Sequence, residues 1–181
     1  MIFPAIQSIQ TALNTTVSAE VGNIGEILAT NTNGSEKDII ISLVNIEENR
    51  VSRDPQNYLR TDAGIVMKNP AIHLNLTLLF TAVKLDTGYQ VALQNIQRVI
   101  EFFQKKNVFD HSNTVGLDAG IEKLILEMMS MNLEQLHQLW SMLGGKYHPS
   151  VAYRMRMITI DSVSEINGSL IKEIESNFQL K

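Results

Sequence analysis

Three consecutive residues, Asp110, His111 and Ser112, carry the side chains of a nucleophilic hydrolase. In such an enzyme the carboxylate orients the imidazole and the imidazole takes the hydroxyl proton, so the three groups must line up in space. Adjacent residues of one chain do not reach that arrangement, and the segment therefore does not predict a catalytic site. Asp110 is instead predicted to cap a loop, because Asp side chains accept hydrogen bonds from backbone N–H groups just after them.

The other polar motifs also fail to form a catalytic, cofactor or metal set. Glu47 and Glu48 are neighbours at the end of a predicted strand, so their carboxylates point to opposite faces and not at one sugar. Glu134 and His137 match one half of a di-iron bundle motif that needs a second copy. The sequence 144–146, Gly-Gly-Lys, follows a helix and lacks the phosphate-loop pattern, so it predicts a helix end. No catalytic, cofactor-binding or metal-binding residue is predicted.

Arg154 and Arg156 alternate with Met155 and Met157 in a predicted strand, which places both guanidinium groups on one face. Such a pair binds an anion or an acidic protein surface. Because the chain is acidic and has no catalytic set, we favour a protein interface.

Composition excludes several classes of protein. The chain has 181 residues, no Cys, four His and a formal net charge of -4. Disulfide scaffolds, Cys nucleophiles, thiolate zinc sites and iron–sulfur clusters are excluded, and nucleic acid is disfavoured as the main partner. No apolar run approaches the roughly 18 residues that span a bilayer, and the N-terminus does not resemble a secretory signal. These features predict one globular domain made in the cytosol, without a membrane partner.

Periodicity predicts seven main elements. Helices are expected at about 2–20, from 86 or 87 to 104, and at 132–143, the last opened by an Asn132/Gln135 capping box. Strands are expected at 38–48, 72–80, 121–131 and 150–160; the third of these also fits a helix, and strand is favoured. The β-branched run in 38–48 predicts a strand covered on both faces. Residues 29–37, 50–70 and 107–120 are expected to be a loop, a long polar excursion and an irregular segment.

This order, α-β-β-α-β-α-β, predicts an α/β (α+β) fold. We expect a single mixed or antiparallel sheet of about four long strands, flanked by three helices. The domain should span 1–160 and be followed by a C-terminal tail, 161–181. The tail contains an Asn167-Gly168 turn signal and helical spacing of Leu170, Ile171 and Ile174, so hairpin and helix both remain open.

Four segments together resemble one known family. They are residues 43–50, 69–80, 102–114 continuing at 120–124, and 136–153, the last including Leu139-Trp-Ser-Met-Leu-Gly-Gly-Lys-Tyr-His-Pro149. Over about residues 2–160 the chain resembles the N-terminal domain of the tail-terminator, or cap, proteins of extracellular contractile injection systems. These are phage-tail-like particles of the antifeeding-prophage and virulence-cassette type.

The resemblance implies a phage tail-terminator-like fold and a structural, non-enzymatic role. Such caps form a six-fold ring on the end of the inner tube, stop tube polymerisation and contact the last sheath layer. The implied partners are further copies of the chain, the inner tube protein and the sheath protein, and particles of this type leave the cell by lysis. A baseplate or adaptor component of the same particle is the alternative, and a hydrolase ranks third.

A closed ring needs two different adhesive faces on each subunit. The 50–70 excursion, the 107–120 loop and the tail are candidates to supply them, and the tail could act as an extended arm that adds a strand to a neighbour's sheet. The candidate interface residues are Arg50, Arg60, Asp110, His111, Lys146, Tyr147, Arg154 and Arg156.

Overall fold

A computed structural model describes residues 1–30, 37–49, 58–61, 64–67, 72–83, 88–144 and 146–160. Within these ranges the chain forms four helices and eight strands. In chain order they are α1 (Ile2–Leu13), β1 (Ala19–Val21), α2 (Ile24–Thr30), β2 (Ile39–Glu48), β3 (Tyr58–Thr61), β4 (Gly64–Met67), β5 (Ile72–Ala82), α3 (Tyr89–Lys105), β6 (Val108–Asp110), β7 (Lys123–Met129), α4 (Leu133–Met142) and β8 (Ser150–Ile160). The four predicted long strands are present as β2, β5, β7 and β8.

Six strands form one sheet in the order β1-β2-β5-β8-β7-β6. The β1–β2 pair is parallel and the other pairs are antiparallel, so the expectation of a mixed or antiparallel sheet is met by a mixed one. The remaining strands, β3 and β4, pair antiparallel as a separate two-stranded sheet. No helix in the described ranges is long and apolar enough to cross a membrane.

The first face of the sheet carries the larger hydrophobic core. Alternate residues of β5, from Leu74 to Phe80, point to it, as the period-two pattern predicted. Helices α1 and α3 cover this face with apolar stripes at helical spacing. The second face carries a smaller core around Ile40, Leu79 and Trp140, where α2 and α4 pack. Helices therefore cover both faces of the sheet.

Helix α4 begins as its sequence predicted. The Asn132 Oδ1 atom accepts a hydrogen bond from the Gln135 backbone N–H at 2.8 Å, and the Gln135 Oε1 atom accepts one from the Asn132 N–H at 3.0 Å. This reciprocal pair is the expected capping box, and it satisfies backbone donors that a helix N-terminus leaves free.

The predicted element order was wrong in its short elements. Helix α1 ends at Leu13 and not near residue 20, because Asn14 Oδ1 accepts the Ala19 N–H at 2.7 Å and the chain returns as β1. The seven-residue helix α2 and the strands β1, β3, β4 and β6 were not expected. Strands of three or four residues and a helix of two turns show little periodicity and depend on tertiary pairing, so local pattern did not indicate them.

Strand β2 is covered on both faces only at its start, so the prediction for 38–48 was half wrong. Its first four residues are buried, while most of the rest, including Leu43 and Ile46, are exposed. Strand β1 pairs only with Ile39–Ile41, and a bulge follows at Val44, where β2 has one more residue than β5. The second half of β2 therefore lies at the border of the sheet.

Candidate assembly surface

Asp110 caps the turn that follows β6. Its Oδ1 atom accepts hydrogen bonds from the Ser112 N–H at 2.9 Å, the Ser112 hydroxyl at 2.5 Å and the Asn113 N–H at 3.1 Å. The Ser112 hydroxyl hydrogen bond is the main cause of the lowered pKa of Asp110. His111 is exposed in the same turn. The loop-capping prediction is confirmed, since Asp110 bonds to Ser112 and not to an imidazole.

The two arginines of β8 lie on the face that α2 and α4 partly cover. Arg154 aligns with Thr77 of β5 and Glu127 of β7, and Arg156 aligns with Ile125. Arg156 forms an ion pair with Glu127, and both side chains are about half exposed. The Nε atoms of both arginines are buried without a hydrogen-bond partner in the described structure. The shared face is as predicted, and Glu127 neutralises part of its charge.

Lys146 and Tyr147 lie just after α4. Both are exposed, and the Tyr147 ring packs edge-on against Trp140 with centroids 5.8 Å apart. Trp140 also contacts His148, at 5.7 Å between centroids. A shallow cavity of about 200 Å³ lies between Tyr147 and α4. Tyr147 therefore presents part of its ring to solvent beside a small apolar hollow.

Six of the eight candidate interface residues have described side chains, and these six lie at three different places in the fold. Asp110 and His111 lie at the β6 border of the sheet, Arg154 and Arg156 lie in β8, and Lys146 and Tyr147 follow α4. Arg50 lies outside the described residues, as does the 161–181 tail, and only the backbone of Arg60, in β3, is described. In the described ranges no three His, Asp or Glu side chains cluster as metal ligands.

His148 gives a pH-dependence prediction. It is buried, and its Nδ1 atom has no hydrogen-bond partner in the described structure. Burial lowers the pKa of His148, a backbone hydrogen bond at Ala82 opposes the shift, and Lys146 adds to it. The unfolded chain therefore binds this proton more readily than the folded chain. The free energy of unfolding should be at its full value above about pH 6.5 and fall as the pH drops below it.

Urea unfolding at several pH values between about 5 and 8 measures how the free energy of unfolding depends on pH. We expect His148→Gln to reduce this dependence on pH, while Ser141→Ala, at an exposed position of α4, should leave it unchanged. The same dependence of the free energy of unfolding on pH in the wild type and in His148→Gln would contradict the prediction.

An apolar slot along the outer border of β2 is the surface that sequence reasoning missed. We call it the edge slot; its volume is about 610 Å³. Its lining comes from α1, the end of β1, the middle of β2 and the end of α4: Ile2, Phe3, Ile6, Val21, Gly22, Asn23, Ser42, Leu43, Val44, Leu139, Met142 and Leu143. Phe3 is 61% exposed and Met142 is 78% exposed. The slot is therefore an open apolar surface bordered by a strand edge.

One sequence signal pointed toward this surface. Leu43 and Val44 continue the apolar run of β2 toward the polar end Asn45-Ile-Glu-Glu48. A strand covered on both faces explains this run. A strand at the border of the sheet that pairs with another chain explains the run equally well, and the sequence pattern does not distinguish these two explanations.

Comparisons with known proteins give a family and a fold. A family model described as the Pvc16 N-terminal domain matches residues 5–173. A solved structure titled as the sheath/tube terminator of PVC, an extracellular contractile injection system, in its extended state, aligns over 100% of this chain with a TM-score of 0.64 and 12% identity. A second, titled as the tube-terminating cap of the anti-feeding prophage, aligns over 98% with a TM-score of 0.65 and 14% identity. Among curated proteins, none matches the sequence significantly. The chain spans 64% and 60% of the lengths of those two solved chains.

Proposed function

Because the chain belongs to the Pvc16 N-terminal domain family, we propose that it is a structural cap of a contractile, phage-tail-like injection particle. The family is the one that the four sequence segments resembled. The observation that carries the proposal is that two tube-terminating caps share this fold over nearly the whole of the present chain. In this role the chain forms a ring on the end of the inner tube, stops further tube subunits from adding and contacts the last sheath layer.

The proposed role is carried by surfaces and not by catalysis. Asp110, which has His and Ser as its next two residues, caps a turn. The exposed apolar edge slot is the kind of surface that an assembly subunit covers on joining its neighbours. We propose that the chain is not an enzyme and that it binds neither nucleic acid nor a membrane.

We propose three partners: further copies of the chain in a hexameric ring, the inner tube protein and the sheath protein. The protein is made in the cytosol and leaves the cell as part of the particle on lysis. The proposed domain is 1–160, with 161–181 as an interface arm. The contact residues proposed from sequence remain Arg50, Arg60, Asp110, His111, Lys146, Tyr147, Arg154 and Arg156.

Tube assembly in the presence of the purified protein tests this function. We expect the protein to shorten the tubes in proportion to its concentration and to appear in electron micrographs as a ring at one tube end. Lys146→Glu combined with Tyr147→Ala should weaken the effect by about tenfold or more, which is about 1.4 kcal/mol. Gln97→Ala, on the exposed face of α3, is the matched control and should cap as the wild type does.

Two results would contradict the cap function. Tubes of unchanged length with no bound protein would exclude capping. Protein located only at the baseplate end of the particle would identify a baseplate or adaptor component instead.

A further inference from the structure

Within the part of the chain that the structure describes, the outer border of β2 has a strand beside it only at its start. Strand β1 pairs with Ile39–Ile41 only, and the chain then leaves the sheet at Gly22 and enters α2 at Ile24. The segment from Leu43 to Glu47 pairs with β5 on its inner side and, within the described ranges, with no strand on its outer side. Such a border presents backbone N–H and C=O groups to an incoming strand.

The edge slot continues the line of β1 along this border. Leu43 and Val44 line it from the strand, Phe3 from α1 and Met142 from α4. Helices α1 and α4 pack on opposite faces of the sheet, so the slot has a wall on each face. Successive side chains of a strand point to opposite faces. A strand that fills the slot should therefore carry consecutive apolar residues.

The β3–β4 hairpin contains such a strand. Its second strand reads Gly64-Ile65-Val66-Met67, with three consecutive apolar residues. Among the described residues the hairpin forms its own two-stranded sheet, separate from the six-stranded main sheet. A two-stranded hairpin in water is marginally stable and gains stability when a further surface supports it. Within the described ranges of one copy, neither the slot border of β2 nor the outer edge of β4 pairs with a further strand.

Charge distinguishes the hairpin from the C-terminal tail as the occupant. The slot border ends in two acidic residues, Glu47 and Glu48. Residues 50–70, which include the hairpin, have a net charge of +2 from Arg50, Arg53, Arg60 and Lys68 against Asp54 and Asp62. Residues 161–181 have a net charge of -2 from Lys172 and Lys181 against Asp161, Glu165, Glu173 and Glu175. Opposite charges steer the excursion toward this border, and like charges oppose the tail.

We propose that β4 of a second copy of the chain enters the edge slot and extends the sheet by pairing with β2. The contact joins two different surfaces of the subunit, so each copy both receives a hairpin and donates one. Repeating this heterologous contact closes a ring when the rotation between copies permits closure. The inference rests on the proposed cap function and names the contact that would build its ring. Strand addition supplies backbone hydrogen bonds, and the slot walls select the apolar side chains.

Cross-linking tests the contact, and the absence of native Cys makes every introduced thiol specific. Leu43→Cys marks the slot, Ile65→Cys marks the hairpin, Leu170→Cys marks the tail and Val115→Cys marks an exposed loop as the control. Single variants are mixed in pairs and treated with a short bismaleimide. We expect L43C to give a heterodimer with I65C at least about tenfold above its yield with V115C. Val66→Cys and Met67→Cys repeat the test if I65C does not fold.

The double variant Leu43→Cys/Ile65→Cys should give a ladder of covalent oligomers. A product formed only within one chain would overturn the proposal, as would a dominant L43C–L170C product or no product above the V115C control.

Charge reversal adds a second readout. Glu47→Arg should lower the L43C–I65C yield several-fold, and combining it with Arg60→Glu should restore part of that yield.

Tube capping by the wild type separates this inference from the cap function. Capping without the L43C–I65C product would overturn the slot contact and leave the cap function standing. The L43C–I65C product without capping would support the contact between copies and contradict the cap function.

Discussion

Replacing Phe80 with alanine should lower the free energy of unfolding by about 3–5 kcal/mol. Phe80 is fully buried in β5, the strand that lies between β2 and β8. Its ring lies 5.2 Å from that of Phe103 in α3 and 5.6 Å from that of Tyr153 in β8, both in edge-to-face geometry. The substitution removes two aromatic contacts and leaves a cavity between strands and helix that rigid neighbours do not refill.

Urea unfolding followed by Trp140 fluorescence measures the loss. For a chain of this size, 1 kcal/mol corresponds to roughly 2–4 °C, so the thermal midpoint should fall by about 6–20 °C. Protein concentration must be matched, because self-association adds to apparent stability. Tyr89→Ala is the control, since Tyr89 is largely exposed and does not line the edge slot, and it should change stability by no more than about 0.5 kcal/mol. A loss below about 1 kcal/mol for Phe80→Ala would contradict the packing described.

Replacing Ser42 with alanine should cost about 1–3 kcal/mol through hydrogen bonds and not through volume. The buried Ser42 hydroxyl donates to the Gly22 C=O at 2.7 Å and accepts from the Ile24 N–H at 3.1 Å. It thereby fixes the point where the chain leaves the sheet after β1 and begins α2. Without the hydroxyl, the Ile24 N–H loses a buried hydrogen bond and the Gly22 C=O loses a partly buried one.

Hydrogen exchange adds a local readout to the unfolding measurement. The Ile24 amide should exchange faster in Ser42→Ala than in the wild type, while amides in the middle of α3 should change only with global stability. Ser141→Ala, at an exposed position of α4, is the matched control and should leave stability within about 0.5 kcal/mol. Unchanged protection of Ile24 would show that the hydroxyl does not hold this junction.

Residue types and their spacing predicted part of the candidate interface and missed the rest. The Arg154/Arg156 alternation correctly placed both guanidinium groups on one face, because side-chain direction in a strand follows sequence parity. The ion pair of Arg156 with Glu127 was not predictable, because it depends on β7 lying beside β8. The exposed edge slot was missed for the same reason, since its four walls come from segments far apart in sequence.

The sequence by itself determined the long elements, the mixed or antiparallel character of the sheet and the family. Strands β2, β5, β7 and β8 and helices α3 and α4 have enough residues for a clear period, and Asn132 and Gln135 cap α4 through local contacts alone. Only the tertiary structure decided the positions of β1, α2 and β6, which take their stability from neighbours. It also decided that β2 borders the sheet beyond Ile41. A period of two assigns side chains to faces, but which strand lies alongside is decided by contacts between distant segments.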